Sequence, residues 1–228
     1  MLEVVELQDH AYHSIRRKIL EGRVRTRRDL SRRVLQAELG VSSTCVQVAL
    51  ARLEGERLLE SRPQSGTFLR QIDFKEYCDH YEVRECIEPY AAGRAARRIS
   101  AAQVKRLEQS CTDYAAIEDY FRTGPAVMTD EILDGMVRAE RLFHGTIMEA
   151  SGNDTAAHII ETLSVENYNR LMTSGLPSAI CLNLTELTVK EHCRVLEALK
   201  GGDPRKAEAA MRRHLHRACL YVKNLNRA

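Results

Sequence analysis

Four side chains in the C-terminal part of the sequence have the types and spacing to hold a metal ion. Glu140 and His144 are four residues apart, so on a helix they project from one face. They interrupt an apolar stripe of Leu133, Met136, Val137, Phe143 and Ile147, which aims them at an interior. His192 falls in a second stripe with Thr188, Val195 and Leu199. His214 falls in a third, with Ala207, Ala210, Met211, Ala218, Tyr221 and Leu225, while His216 lies off that stripe and is expected at the surface. Buried ionisable groups need partners, because an unpaired one is strongly destabilising. Two arrangements would supply them: a divalent metal or a hydrogen-bonded polar cluster. Three imidazoles and a carboxylate suit zinc first, with nickel, manganese or iron as alternatives, and leave room for water or an anionic ligand.

Helices must position these groups. Breakers at Ile99-Ser100, Gly124-Pro125, Ser151-Gly152-Asn153, Ser174-Gly175-Leu176-Pro177 and Gly201-Gly202-Asp203-Pro204 divide the C-terminal part. They predict six helices, over 74–99, 101–123, 129–150, 153–173, 182–200 and 203–225. A composition shift at Arg70-Gln71-Ile72-Asp73 predicts a boundary between a domain over 1–72 and one over 73–228.

The N-terminal part has a different organisation. Ala11, Ile15 and Ile19/Leu20 predict a helix near 8–21, and Leu30, Val34, Leu35 and Leu39 a second over about 29–39. Gly40 follows where a left-handed cap is wanted, and Ser42 can N-cap a third helix that runs to about Gly55. Val46, Ala49, Leu50 and Leu53 would face inward on that helix. Two short helices joined by Gly-Val-Ser form a helix-turn-helix. Two short extended runs, around Leu59 and Phe68, flank the turn Arg62-Pro63-Gln64-Ser65-Gly66 and predict a β-hairpin wing. The fold class is thus mainly α: a winged helix-turn-helix followed by an all-α antiparallel bundle. The third helix would enter a DNA major groove and present Ser43, Thr44, Gln47 and Val48. Gln47 can pair bidentately with adenine, and Thr44 can bond a base or a phosphate.

Charge agrees with that placement. The chain has 228 residues and a formal net charge of +2. Residues 1–72 carry 13 basic and 9 acidic side chains, so the remainder is slightly acidic. Nine basic residues fall between Arg16 and Arg33, opposed only by Glu21 and Asp29. Such a head suits a polyanion, with Arg33 and its neighbours on phosphates. Apolar residues at 44% and charged residues at 29% exclude wholesale disorder. No run is long and apolar enough to span a bilayer, and the N-terminus lacks the pattern of a secretory signal. The seven cysteines are odd in number, scattered and without a CxxC pair, so reduced thiols in a cytoplasmic protein are expected.

Residues 11–70 resemble the winged-helix domain of GntR-type bacterial regulators. The likeness rests on Leu39-Gly40-Val41-Ser42-Ser43-Thr44, Val46, Ala49-Leu50, Leu53-Glu54 and Gly66. Where the family usually reads LGVSRTPVREAL, this chain reads LGVSSTCVQVAL. Ser43 and Gln47 therefore stand at two positions that are usually arginine, and Cys45 replaces the usual proline. Ser65 stands in place of an arginine before the wing glycine Gly66, and Thr26-Arg27 replaces a Pro-Gly turn. Arg33 and Thr44 remain at contact positions.

Residues 73–225 resemble the FCD ligand-binding domain of the FadR subfamily. The runs that carry this are Tyr81-Glu82-Val83-Arg84 with Ile87-Glu88-Pro89, Phe143-His144 to Asn153, Glu191-His192 to Asp203, and Ala207 to Leu215. The resemblance implies that Glu140, His144, His192 and His214 hold a metal, with Glu140 in place of the usual Asp. It also implies that Arg84 helps to hold a carboxylate effector. The bland alternative for Arg84 is a surface ion pair with Glu88.

The whole predicts a cytoplasmic, homodimeric transcription regulator, with no membrane partner. It would bind an inverted-repeat operator, and a small organic acid in the helical domain would modulate that binding. Two alternatives stand beside it. One is a metal-dependent hydrolase-like enzyme, which the absence of HExxH, GxSxG, Walker and GxGxxG motifs disfavours. The other is a regulator that keeps the fold but acts mainly through protein contacts.

Overall fold

The computed structural model describes residues 2–20, 23–24, 27–56, 58–70, 74–124, 128–163 and 177–225. The chain divides into two compact units, Met1–Gln71 and Ile72–Ala228. The first contains α1 (Leu2–Leu20), α2 (Arg32–Leu39), α3 (Ser43–Gly55) and a hairpin of β1 (Leu59–Arg62) and β2 (Gly66–Leu69). Ala11, Ile15 and Ile19 of α1 are buried, together with Leu35 of α2 and Val46, Ala49, Leu50 and Leu53 of α3. These belong to the inward set the periodicity predicts, as does buried Leu30, whereas Val34 and Leu39 are half-buried.

Two boundaries differ from expectation. The first helix begins at Leu2, six residues before the predicted start near residue 8. The predicted second helix is interrupted: a 3₁₀ turn covers Arg27–Leu30, and α2 begins only at Arg32. Ser31 causes the break, because its side chain accepts from the Val34 N–H and caps α2. Gly40 ends α2 with φ of 65°, and Ser42 caps α3 by accepting from the Cys45 N–H. The hairpin pairs Leu59 with Leu69 and Arg62 with Gly66, antiparallel.

Among its described residues, the regular secondary structure of the second unit is all helical. It contains α4 (Phe74–Ala95), α5 (Ala101–Thr123), α6 (Asp130–Ser151), α7 (Asp154–Thr162), α8 (Ser178–Lys200) and α9 (Pro204–Leu225). Helix α4 packs on α9 and α6, α5 on α6 and α8, and α8 on α9. The core is built from Ala92, Leu107, Phe143, Ile147, Val195, Leu199, Met211 and Leu215, among others. Helix α4 stops four residues short of 99, because Ser100 caps α5 in a reciprocal box with Gln103. Helix α8 begins four residues earlier than predicted, directly after Pro177. The helix predicted over 153–173 is seen to Thr162, and its remainder lies outside the described residues, as do Thr26, the linker 71–73 and Ser174-Gly175-Leu176. All seven cysteines are free thiols, and no single helix among the described residues is long and apolar enough to cross a membrane.

Candidate metal centre and nucleic-acid interface

Helices α6, α8 and α9 bring the four predicted residues together inside the bundle. His144, His192 and His214 are 6%, 0% and 5% exposed, and each offers a ring nitrogen within 4.8 Å of the others. His144 Nε2 lies 3.3 Å from His214 Nε2 and 3.1 Å from Glu140 Oε2. His192 Nε2 lies 3.7 Å from Glu140 Oε1. The Tyr114 hydroxyl of α5 donates to Glu140 Oε1 at 2.8 Å and holds the carboxylate in place. His192 stacks face to face on Phe143, with ring centroids 3.7 Å apart.

Electrostatics divides the imidazoles. Burial pushes His192 well below the ordinary histidine range, and the neighbouring His214 adds to the effect. Burial and His144 together push His214 down to about 3. His144 goes the other way: burial opposes its charge most strongly, but Glu88 and Glu140 together outweigh burial and raise it to about 9. Glu140 would be raised by burial, yet hydrogen bonding to His144 and the surrounding imidazoles hold it well below the carboxylate range. Burial also keeps Tyr114 neutral, as does the carboxylate beside it.

The donor set fits a divalent metal. Nitrogen and carboxylate ligands are those zinc and its neighbours take. Among the described residues, neither ring nitrogen of the buried His192 has a hydrogen-bond partner. Buried polar atoms are nearly always paired, so an orphan at such a position points to a ligand. A hydrogen-bonded cluster alone leaves His192 unsatisfied.

Arg84 is also inside, at 2% exposure, and the expected pair with Glu88 forms at 2.5 Å. The pair is not on the surface, however, because Glu88 is 1% exposed. Glu88 Oε2 lies 2.6 Å from His144 Nδ1. Sequence reasoning missed Glu88 and Tyr114 as parts of the site. A signal existed for Glu88: Tyr77, Tyr81, Arg84, Glu88, Ala91 and Ala95 recur at the spacing of one buried helix face. His216 is exposed, as predicted, and near Glu85.

In the first unit, Ser43, Thr44 and Gln47 are exposed on α3, and Arg33 is exposed on α2. A groove beside them is lined by Ser31, Arg32, Gln47, Glu54, Ser61 and Thr67, with Gly66 at its hairpin edge. Gly66 has φ of 96°, where a side chain would be strained. Glu54 of α3 accepts from both the backbone N–H and the hydroxyl of Ser61, at 2.9 and 3.0 Å, and so ties the hairpin to the helix.

Comparison with known proteins covers both units. The family model for bacterial regulatory proteins of the gntR family matches residues 7–69, and that for the FCD domain matches residues 79–217. The HTH-type transcriptional repressor RspR of Escherichia coli is 24% identical over 215 residues, which is 94% of this chain and 88% of that protein. The Uxu operon regulator of Haemophilus influenzae is 25% identical over 186 residues, covering 80% of this chain and 69% of that one. Among solved structures, E. coli McbR/YncC has a TM-score of 0.69 at 17% identity, over 96% of this chain and 98% of its own. That likeness is one of fold.

Proposed function

This chain belongs to the GntR family of bacterial regulatory proteins and carries an FCD domain, and from that premise we propose a metal-dependent, acid-sensing control of its DNA binding. It is a DNA-binding transcriptional regulator, as its relatives are named. Glu140, His144, His192 and His214 would hold one divalent ion, zinc first. The orphaned, fully buried His192 carries this proposal. When bound, the ion supplies a fixed positive charge to which a small organic acid can be ligated. The chain's own residues set the rest: Tyr114 orients Glu140, and Phe143 stacks on His192 and fixes its ring.

The DNA-reading part would be α3 with Ser43, Thr44 and Gln47, backed by Arg33 on phosphate and Gly66 at the wing. Two copies would read an inverted repeat, since a two-fold protein presents two equivalent reading helices. The acid can control this only if it binds the DNA-competent and DNA-incompetent states with different affinity. The relatives are named as regulators, which points away from catalysis as the role of the centre.

The test is direct. Purified protein is assayed for bound metal, then selected against sheared genomic DNA at about 0.15 M salt. One equivalent of metal per chain and enrichment of an inverted repeat are expected. A panel of small carboxylates then shifts operator affinity in the metal-loaded protein and not in the H192A variant. Metal-free preparations that bind the operator and respond to the same acid would refute the proposal.

A further inference from the structure

We infer that Arg84 and Glu88 are positioning residues for His144, with Arg84 acting through Glu88 rather than by touching an effector. The inference rests on the metal centre proposed above. Glu88 bridges two groups: Oε1 accepts from Arg84 Nε at 2.5 Å, and Oε2 lies 2.6 Å from His144 Nδ1. All three side chains are more than nine-tenths buried. A carboxylate against a buried guanidinium stays ionised and has no proton to give. Nδ1 of His144 must therefore be the donor, and Nε2 is left facing Glu140 and His214. A carboxylate on the far nitrogen of a metal-binding histidine fixes its tautomer and ring orientation and raises its basicity. Among the three imidazoles, His144 is the one shown with such a carboxylate. Among the described residues, His192 has no hydrogen-bond partner at either nitrogen.

Stability does not account for the pair. Buried ion pairs are weak stabilisers, and apolar residues of similar size commonly replace them without loss. The local fold, moreover, is built around it. Pro89 lies inside α4 and has no N–H, so it frees the carbonyl of Glu85 one turn earlier. Arg212 Nη1 of α9 donates to that carbonyl at 3.1 Å. The turn that carries Arg84 and Glu88 is thereby fastened to the helix that carries His214. Arg84 also lies over the Tyr81 ring, 4.8 Å from its centroid. Swinging Arg84 to an effector carboxylate would leave Glu88 buried without its countercharge.

The test uses zinc alone, with no organic acid present. Chelator-competition titrations compare the full-length native protein, the R84Q/E88Q double variant, which keeps a neutral hydrogen-bonding pair, and R84K, which keeps the charge. We expect about a 10- to 100-fold loss of zinc affinity in R84Q/E88Q and most of it restored in R84K. Imidazole nitrogen–proton correlation spectra of the metal-free native protein at alkaline pH, where His144 carries a single ring proton, should show that proton on Nδ1, and the double variant should lose that preference. A merely structural pair would not move the tautomer. A folded double variant within twofold of native zinc affinity overturns the inference. If the double variant does not fold, the native tautomer and R84K decide. A native chain that binds no zinc would sink the metal proposal, and the tautomer would still test the relay.

Discussion

Replacing His192 with leucine should stabilise the metal-free protein and abolish its response to metal. The imidazole is 0% exposed, and neither nitrogen has a hydrogen-bond partner among the described residues. An unsatisfied buried polar group costs roughly 1–3 kcal/mol, and a neutral imidazole buries one donor and one acceptor. Leucine removes that penalty. It forfeits the stack on Phe143, which contributes roughly 0.5–1.5 kcal/mol. The net gain is about 2 kcal/mol in chelator, or about 4–8 °C in melting temperature for a chain of this size. Zinc at about 100 times its dissociation constant should stabilise the native protein by about 2.7 kcal/mol and the variant by none. Thermal melts in chelator and in zinc should therefore rank the two proteins in opposite orders. A variant that melts below native in chelator, or that gains as much from zinc, would refute the reasoning.

Four further outcomes are expected. In chelator, stability should peak near pH 6–7. His214, depressed to about 3, and His192, also depressed, lose stability as pH falls below the unfolded value near 6.5. His144, raised to about 9, contributes fully below 6.5 and is lost as pH rises through 9. Urea titrations from pH 4 to 10 check this, and H144L should flatten the alkaline limb. Gln47→Ala should cost about 1–3 kcal/mol at the cognate operator and relax preference at one base pair, whereas Arg33→Ala should weaken all sequences and reduce the salt slope by about one. Binding curves at several salt concentrations separate the two. Alkylation of the native protein should label Cys86 and Cys193, which are exposed, before the five buried thiols, as read by peptide mass mapping. Gly66→Val should strain the hairpin turn and weaken operator binding severalfold, with the helical unit's metal content unchanged.

The stripes of α6, α8 and α9 were legible because helical periodicity alone decides which residues share a face. Glu140, His144, His192 and His214 could be placed on inward faces from that geometry before any contact was known. Caps at Gly40 and Ser42 were equally local. The break at Ser31 was not, because the apolar set runs through it and only a single hydroxyl marks the stop. Arg84 and Glu88 show a different limit. An i,i+4 pair of opposite charge reads the same on a solvated face as in a core. Only the packing of α4 against α6 and α9 makes it a buried one. Tyr114 comes from a helix with no chemistry of its own, so its partner could not be guessed from spacing.

The tie between Glu54 and Ser61 has a consequence for operator grammar. On the proposed reading, a hairpin tied to the reading helix would make the head a rigid gauge, with a fixed distance between the bases under α3 and the groove edge under the wing. Insertions or deletions inside a half-site should therefore be rejected, since neither contact can be kept by local adjustment. Cutting the tie with Glu54→Ala should broaden the tolerated spacing within a half-site before it abolishes binding, and sites selected by that variant would show a blurred flank beside an unchanged core.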